Sequence, residues 1–198
     1  MISKLSRLLT ERMLSSGTIC EADKELYVYG LFMLLSQIMF FIITCTFGFM
    51  LSSPLESIVF YIAFMLIRQY AGGYHASTEA KCDIMSASSI LACIVVIKLS
   101  KLYDLEIALL IIGAVSAVCI AVLCPLDTPE KPLSGKEFKY FRRLSLIILF
   151  VITAIIGVSY FFELKLLAVP CLLSLILENI LLIAGKIKKA LQNRKSQG

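Results

Sequence analysis

The only histidine of the chain, His75, lies seven residues before Cys82. An imidazole and a thiol are the minimal parts of a cysteine peptidase, because the base takes the thiol proton and the thiolate then attacks a carbonyl carbon. Any cysteine–histidine chemistry within one chain must therefore use His75. The alternative is a surface histidine and a spectator thiol, and the spacing alone leaves both interpretations open.

The spacing also constrains how the chain must fold for the two groups to meet. Residues seven apart on one straight helix share a face but lie about 10.5 Å apart along the axis, whereas a base and its nucleophile need about 3 Å. Gly72-Gly73 is a natural break, because glycine accepts backbone angles that other residues avoid. Ser77 or Thr78 can then cap a new helix. We therefore predict a bend or loop between His75 and Cys82.

A position near the start of a helix suits the proposed nucleophile. The helix dipole and the free backbone N–H groups there favour a thiolate at Cys82 and can stabilise an oxyanion. Arg68 and Lys81 add positive potential. Glu79 and Asp83 are the candidates for orienting the imidazole.

Composition places the chain in the membrane class. It has 198 residues, is 59% hydrophobic and has a mean hydropathy of +0.90, which is more apolar surface than a soluble domain needs. The apolar runs predict an all-α integral membrane bundle with about six transmembrane helices. The predicted spans are residues 29–50, 55–67, 84–97, 107–123, 144–162 and 166–185. The second and third are short, so either their helices extend into the His75–Cys82 stretch or the membrane is thin there.

The N-terminal segment, residues 1–26, is charged and has no apolar core, which argues against a cleavable secretory signal. Its apolar residues recur at helical spacing and predict an amphipathic helix on the membrane surface, or one packed on the protein's own cytosolic loops. These residues are Ile2, Leu5, Leu8, Leu9 and Met13.

The basic residues predict the topology. With six spans, all of the 19 Lys and Arg except Lys98, Lys101 and Lys165 fall on one side. The positive-inside rule then places both termini, the His75–Cys82 stretch and the long loop in the cytoplasm. No basic patch with interleaved aromatics resembles a nucleic-acid surface, so no nucleic-acid partner is expected. Membrane lipid is the partner that we expect around the helices.

We predict one membrane domain, 1–198, with four distinct parts. These are the interfacial helix at 1–26, the catalytic segment at 68–83, a basic cytoplasmic loop at 124–143 and a basic tail at 186–198. The seven cysteines are dispersed and odd in number, so most are interpreted as small buried hydrophobic residues. Neither a disulfide framework, a metal site nor a cofactor is predicted.

Two further charged residues are candidates for the site. Glu178 lies inside the last predicted span, where an ionisable group is a functional candidate by default. It could line a cavity for a substrate, or it could make an interhelix contact close to Asn179. Lys131 belongs to the basic loop, which is interpreted either as a topology and lipid-headgroup signal or as a docking point for an acidic part of a peptide.

The stretch RQYAGGYHASTEAKC, placed after a second span, resembles the signature of the AgrB family of bacterial membrane peptidases. That signature has an arginine, a glycine pair, a histidine and a cysteine seven residues further on. These positions are Arg68, Gly72, Gly73, His75 and Cys82. The segment at 125–132 is similar to the family's proline- and lysine-containing cytoplasmic loop, and the length and the number of spans agree as well.

The resemblance implies a multi-pass cysteine endopeptidase of the bacterial plasma membrane that acts on an AgrD-like precursor peptide. Family members cut the precursor near its C-terminal end and form an acyl-enzyme thioester. An internal cysteine or serine of the precursor then closes a thiolactone or lactone ring, which gives a quorum-sensing peptide. Carried over, Cys82 is the nucleophile, His75 is the base, and Arg68 supports the site or a substrate carboxylate.

Other functions remain open from the sequence. The main alternative is a small membrane transporter or exporter of a peptide without proteolysis, for which Pro170 and Glu178 are the available features. A membrane scaffold without chemistry is a third possibility. Small residues within the spans, such as Gly48 and Gly113, also allow a homodimer.

Overall fold

In a computed structural model that describes residues 2–74, 78–126 and 134–195, the chain is helical. The helices are α1 (Ile2–Ser15), α2 (Lys24–Met50), α3 (Pro54–Ala71), α4 (Glu79–Leu102), α5 (Glu106–Leu123), α6 (Gly135–Phe161) and α7 (Lys165–Lys195), with a short 3-10 helix at Glu21–Asp23. No strand occurs in these residues. The predicted all-α class is confirmed.

Five helices in the described part of the chain are long and apolar enough to cross a membrane. They are α2 with the preceding 3-10 turn, α4, α5, α6 and α7. The predicted second span corresponds to α3, which is 18 residues long and carries Glu56 in its first turn and Arg68 in its last. These charges lower its hydropathy, so α3 is not one of the five. The helical membrane bundle is confirmed with five such helices.

Both helices that flank the His75–Cys82 stretch are longer than their predicted spans, and α4 begins inside the stretch. α3 continues to Ala71, and α4 begins at Glu79 and runs for 24 residues, well beyond the predicted span. Thr78 caps α4, because its side-chain oxygen accepts a hydrogen bond from the Lys81 N–H at 3.4 Å. The short predicted spans therefore reflect polar residues at the helix ends.

The predicted basic loop at 124–143 is only partly a loop. Ser134 and Glu137 form a capping box that starts α6 at Gly135, because each side chain satisfies an otherwise unpaired N–H at the helix start. The cluster Lys136, Lys139, Arg142 and Arg143 thus lies on α6. The predicted basic tail is likewise helical as far as Lys195. The remaining loop, 127–133, lies outside the described residues.

Two compact units can be distinguished in the chain, and the division between them falls within α2. The first unit is 1–43 and the second is 44–198. In the second unit α3, α5 and α6 pack against α7. In the most apolar stretch of α7, 67% of the residues are buried, against 28% in that of α6. α7 is therefore the central helix. Leu172, Leu175 and Leu182 are its fully buried leucines.

Candidate functional site

The candidate site begins where α3 ends, at the glycine pair of the motif. Gly72 has φ 79° and Gly73 has φ 138°, which is a region that residues with a Cβ atom rarely adopt. A Cβ atom on Gly73 would also overlap Nη1 of Arg68. The pair is therefore required both for the backbone angles and for the close approach of the arginine.

Arg68 holds the turn that follows α3. Its Nη1 donates a hydrogen bond to the Gly72 carbonyl at 2.6 Å, and its Nη2 donates to the Tyr74 carbonyl, also at 2.6 Å. A planar guanidinium can make two such bonds at once, which a lysine ammonium does less well. We call residues 72–74 the braced turn. Of the two roles that the sequence left open for Arg68, this geometry favours support of the site.

Glu178 of α7 lies beside the same guanidinium. Its side chain is 0% exposed, and its Oε1 lies 3.9 Å from Nη1 of Arg68. Within the described residues neither carboxylate oxygen has a hydrogen-bond partner. The neighbouring Asn179 points elsewhere, since its Nδ2 donates to Ser116 Oγ on α5 at 3.4 Å. Glu178 therefore faces Arg68 and not a substrate-sized opening.

α7 also contacts the braced turn through its backbone. The Tyr74 N–H donates to the Leu181 carbonyl at 3.0 Å. A Cβ atom on Gly185 would lie 3.0 Å from the Gly73 carbonyl carbon and the Tyr74 nitrogen, so the glycine allows this close approach. Lys188 Nζ lies 5.5 Å from the centre of the Tyr74 ring, within cation–π range. In the sequence Gly185 stood only as the last residue of the last predicted span, with no sign of this contact.

The segment after α5 is tied to the same place. The Leu126 N–H donates to the Ala71 carbonyl at 2.9 Å. Arg142 of α6 donates to the Cys124 carbonyl and, at 2.9 Å, to the Ala121 carbonyl. The start of the loop that carries Lys131 is thus fixed at the end of α3, although Lys131 itself lies outside the described residues.

Cys82 lies one turn into α4, with a partly exposed free thiol. Its N–H donates to the Thr78 carbonyl at 3.1 Å, and the Lys81 N–H is taken by the Thr78 side chain. These two N–H groups are therefore already bonded, and an oxyanion would need other donors. His75 and the side chain of Glu79 lie outside the described residues.

All seven cysteines are free thiols. Cys124, just past the end of α5, is buried, and burial raises the pKa of its thiol despite the opposing effect of nearby Arg142. Since the thiolate is the nucleophile, Cys124 is a poorer nucleophile than a partly exposed thiol at a helix start. In the described part of the chain no group of three or more His, Cys, Asp or Glu could hold a metal ion.

An apolar groove of about 490 Å³ adjoins the braced turn. It is lined by Tyr74, Ala184, Ile187, Lys188, Leu191 and Gln192. The groove therefore extends from the turn along the last part of α7, with one cationic side chain in an otherwise mostly apolar wall.

Comparison with known proteins points to one family. The profile of a family described as AgrB, accessory gene regulator B, matches residues 4–183. A "Putative AgrB-like protein" of Clostridium perfringens (strain SM101 / Type A) is 26% identical over 155 residues, which cover 75% of this chain and 72% of the relative. The "Accessory gene regulator protein B" of Staphylococcus intermedius is 26% identical over 115 residues, or 58% of this chain and 60% of that protein. No solved structure matches significantly.

Proposed function

Because the chain belongs to the AgrB family, which is involved in accessory gene regulator quorum sensing, we propose that it is a membrane cysteine endopeptidase. It cleaves an AgrD-like precursor peptide at the C-terminal end of the segment that becomes the signal. It then promotes cyclisation of that segment to a thiolactone or lactone signal. Cys82 is the nucleophile and His75 is the base.

The observation that carries this proposal is the position of Cys82. Its thiol is partly exposed and lies one turn into α4. The braced turn lies just before it in the chain, and His75 follows Tyr74 directly in the sequence. The helix break between Ala71 and Glu79 removes the straight-helix geometry that would keep the two groups apart.

In the first step the imidazole of His75 takes the proton of the Cys82 thiol, and the thiolate attacks the carbonyl carbon of the scissile peptide bond. The tetrahedral intermediate collapses as the imidazolium returns the proton to the leaving amine. The C-terminal fragment of the precursor departs with a free amino group. The N-terminal part stays bound to Cys82 as a thioester.

In the second step a cysteine thiol or serine hydroxyl within the bound peptide attacks the thioester carbonyl. Its proton passes through His75 to the departing Cys82 sulfur, so the ring closes without net consumption of water. Water competes for the same carbonyl, and a site at the edge of a membrane bundle limits that competition. Holding the internal nucleophile close to the thioester raises its effective concentration.

The substrate reaches the site from the cytoplasmic face of the plasma membrane. The charge asymmetry of the sequence supports this orientation, since Arg68 and Lys81 lie near the site and Lys186 and Lys188 lie at the end of α7. The groove beside Tyr74 offers an apolar wall for part of the precursor. Lys131, in the loop that starts beside the braced turn, is a further contact for an acidic part of it.

The first test is cleavage of a co-expressed precursor, read by mass spectrometry of the released products. Cys82→Ser and His75→Ala should each reduce cleavage by about 10³-fold or more. The two side chains act in the same chemical steps, so the loss of either one costs nearly as much as the loss of both. Cys93→Ser, on the same helix but well away from its start, is the matched control and should cleave normally at equal membrane levels.

Undiminished cleavage by the Cys82→Ser protein would contradict the peptidase proposal. Unchanged appearance of the peptide outside the cell with no change in its mass would instead favour transport. Loss of cleavage in Cys93→Ser as well would show a general effect of thiol loss and would also count against Cys82 as the specific nucleophile.

A further inference from the structure

A buried carboxylate faces the arginine of the braced turn. Glu178 is 0% exposed and lies 3.9 Å from Arg68, and within the described residues its two oxygens accept no hydrogen bond. A buried charge without hydrogen bonds is costly unless an opposite charge lies close by. Among the residues that the structure describes, Arg68 is the cation at this distance, so the carboxylate interacts with the braced turn through the guanidinium.

The guanidinium in turn holds the backbone. Both η nitrogens donate to carbonyls of the braced turn at 2.6 Å, while Arg68 is only 22% exposed. The counter-charge of Glu178 favours this partly buried position over one turned toward water or lipid phosphates. Removing the negative charge would leave the guanidinium unpaired and weaken the two bonds that fix the turn.

We propose that Glu178 is a positioning residue that acts through Arg68 to fix the Gly72–Tyr74 turn, from which the chain continues into the base of the proposed cysteine peptidase. This inference rests on the proposed function, since His75 must act on Cys82 for its position to matter. Glu178 does not contact the substrate in this role. Its effect reaches the chemistry only through the geometry of the turn.

A role in lining a substrate cavity is less consistent with the structure. The Glu178 side chain has no exposed surface, and the groove beside the turn is lined by Tyr74 and by α7 residues from Ala184 onward. The charge pair does join α3 and α7, but a contact between helices alone would leave the guanidinium N–H groups free for other partners. Here the arginine spends its hydrogen bonds on the turn, which makes the turn the element that the pair controls.

The test is the pH profile of Cys82 alkylation by iodoacetamide, measured on the full-length protein in lipid nanodiscs. Mass spectrometry of the Cys82 peptide reports this thiol separately from the other six. The variants are His75→Ala, Glu178→Gln and Glu178→Asp. Glu56→Gln is the matched control, because Glu56 also pairs with a cation, Lys101 at 2.6 Å, at the other end of α3.

A neighbouring imidazolium favours the thiolate, so the wild-type profile should lie about one pH unit below that of His75→Ala. The alkylation profile of Glu178→Gln should shift toward that of His75→Ala. The profile of Glu178→Asp should lie between those of Glu178→Gln and the wild type. The profile of Glu56→Gln should match that of the wild type. With the precursor as substrate, Glu178→Gln should lower kcat by up to about tenfold, because it weakens the two bonds of Arg68 without removing them, and should leave KM unchanged.

The outcomes separate the two proposals. Coincident profiles for the wild type and His75→Ala would contradict the cysteine–histidine pair itself. If those two differ but Glu178→Gln follows the wild type, the positioning role is overturned and the peptidase proposal stands. A rise in KM at constant kcat for Glu178→Gln would also overturn the positioning role and would indicate that Glu178 binds the substrate. If Glu178→Gln does not accumulate, an unshifted profile for Glu178→Asp contradicts the inference.

Discussion

Charged side chains pair at both ends of the 44–198 unit, but they do so in different ways. At the far end, where α4 ends and α5 begins, Lys101 contacts Glu56 and Lys165 contacts Glu106, each at 2.6 Å. At the site end, where α3 ends, Arg68 lies 3.9 Å from a wholly buried Glu178. The lysines at the far end are 40% and 71% exposed, whereas Arg68 is 22% exposed.

The difference lies in what each cation holds. The far-end lysines join two helices through short contacts in partly exposed positions, where water and salt screen the charges. Arg68 uses its planar fork to bond two backbone carbonyls of the braced turn, and its counter-charge is shielded from water. The far end therefore ties helices together, while the site end fixes a short piece of backbone beside the proposed catalytic residues.

The largest effect that we expect, apart from loss of Cys82 or His75, is that of Gly73→Ala. The new Cβ atom would overlap Nη1 of Arg68 at a backbone angle that alanine tolerates poorly. Cleavage of the precursor should fall by about 10²-fold, measured at matched membrane levels. Gly157→Ala is the control, because apart from its chain neighbours and the backbone of its own helix no atom lies within 4 Å of a Cβ at that position. Normal cleavage by Gly73→Ala would mean that the braced turn is not needed.

Arg68→Lys should have the next largest effect. An ammonium keeps the charge opposite Glu178 but cannot reproduce the planar fork to two carbonyls. Loss of one charge-assisted hydrogen bond corresponds to about tenfold or more in cleavage rate. The matched swap at the far end, Lys101→Arg, should cleave at the wild-type rate. Equal effects of the two swaps would remove the distinction between the ends.

The smallest effect should come from Glu56→Gln. Its partner Lys101 is 40% exposed, so losing the pair should change the free energy of unfolding by about 1 kcal/mol or less. A thermal melt in detergent should show a small decrease in Tm, and cleavage should stay unchanged. A cleavage defect here would indicate that the two ends of the bundle are coupled.

Much of the fold follows from the sequence because membrane helices are recognisable by long apolar runs. The helical class was accessible in this way, while the glycine pair indicated the break after Ala71 and the hydroxyl residues Ser77 and Thr78 indicated a cap for the next helix. Helix ends were less accessible: α6 begins at Gly135 because of the Ser134–Glu137 capping box, within a segment whose basic residues suggested a loop. Local capping chemistry outweighs composition at such positions.

The candidate site was only partly accessible from the sequence. The motif indicates Arg68 and the glycine pair, but the partners of the turn lie far away in the chain. Leu181 and Gly185 come from α7 and Leu126 from the segment after α5. Such contacts depend on how helices pack, and no local periodicity encodes them. Glu178 was recognised as an ionisable residue in a span, whereas its pairing with Arg68 required the structure.

The most direct measurement is the mass of the purified full-length protein after brief mixing with its precursor and an acid quench. A precursor in which the internal ring-closing cysteine or serine is replaced by alanine slows the second step, so the intermediate should accumulate. We expect the mass of the protein to rise by that of the N-terminal part of the precursor less one water. The adduct should lie on the Cys82 peptide and should be released by hydroxylamine. It should be missing in Cys82→Ser. A cleaved precursor with no adduct, or an adduct on another residue, would contradict catalysis through Cys82.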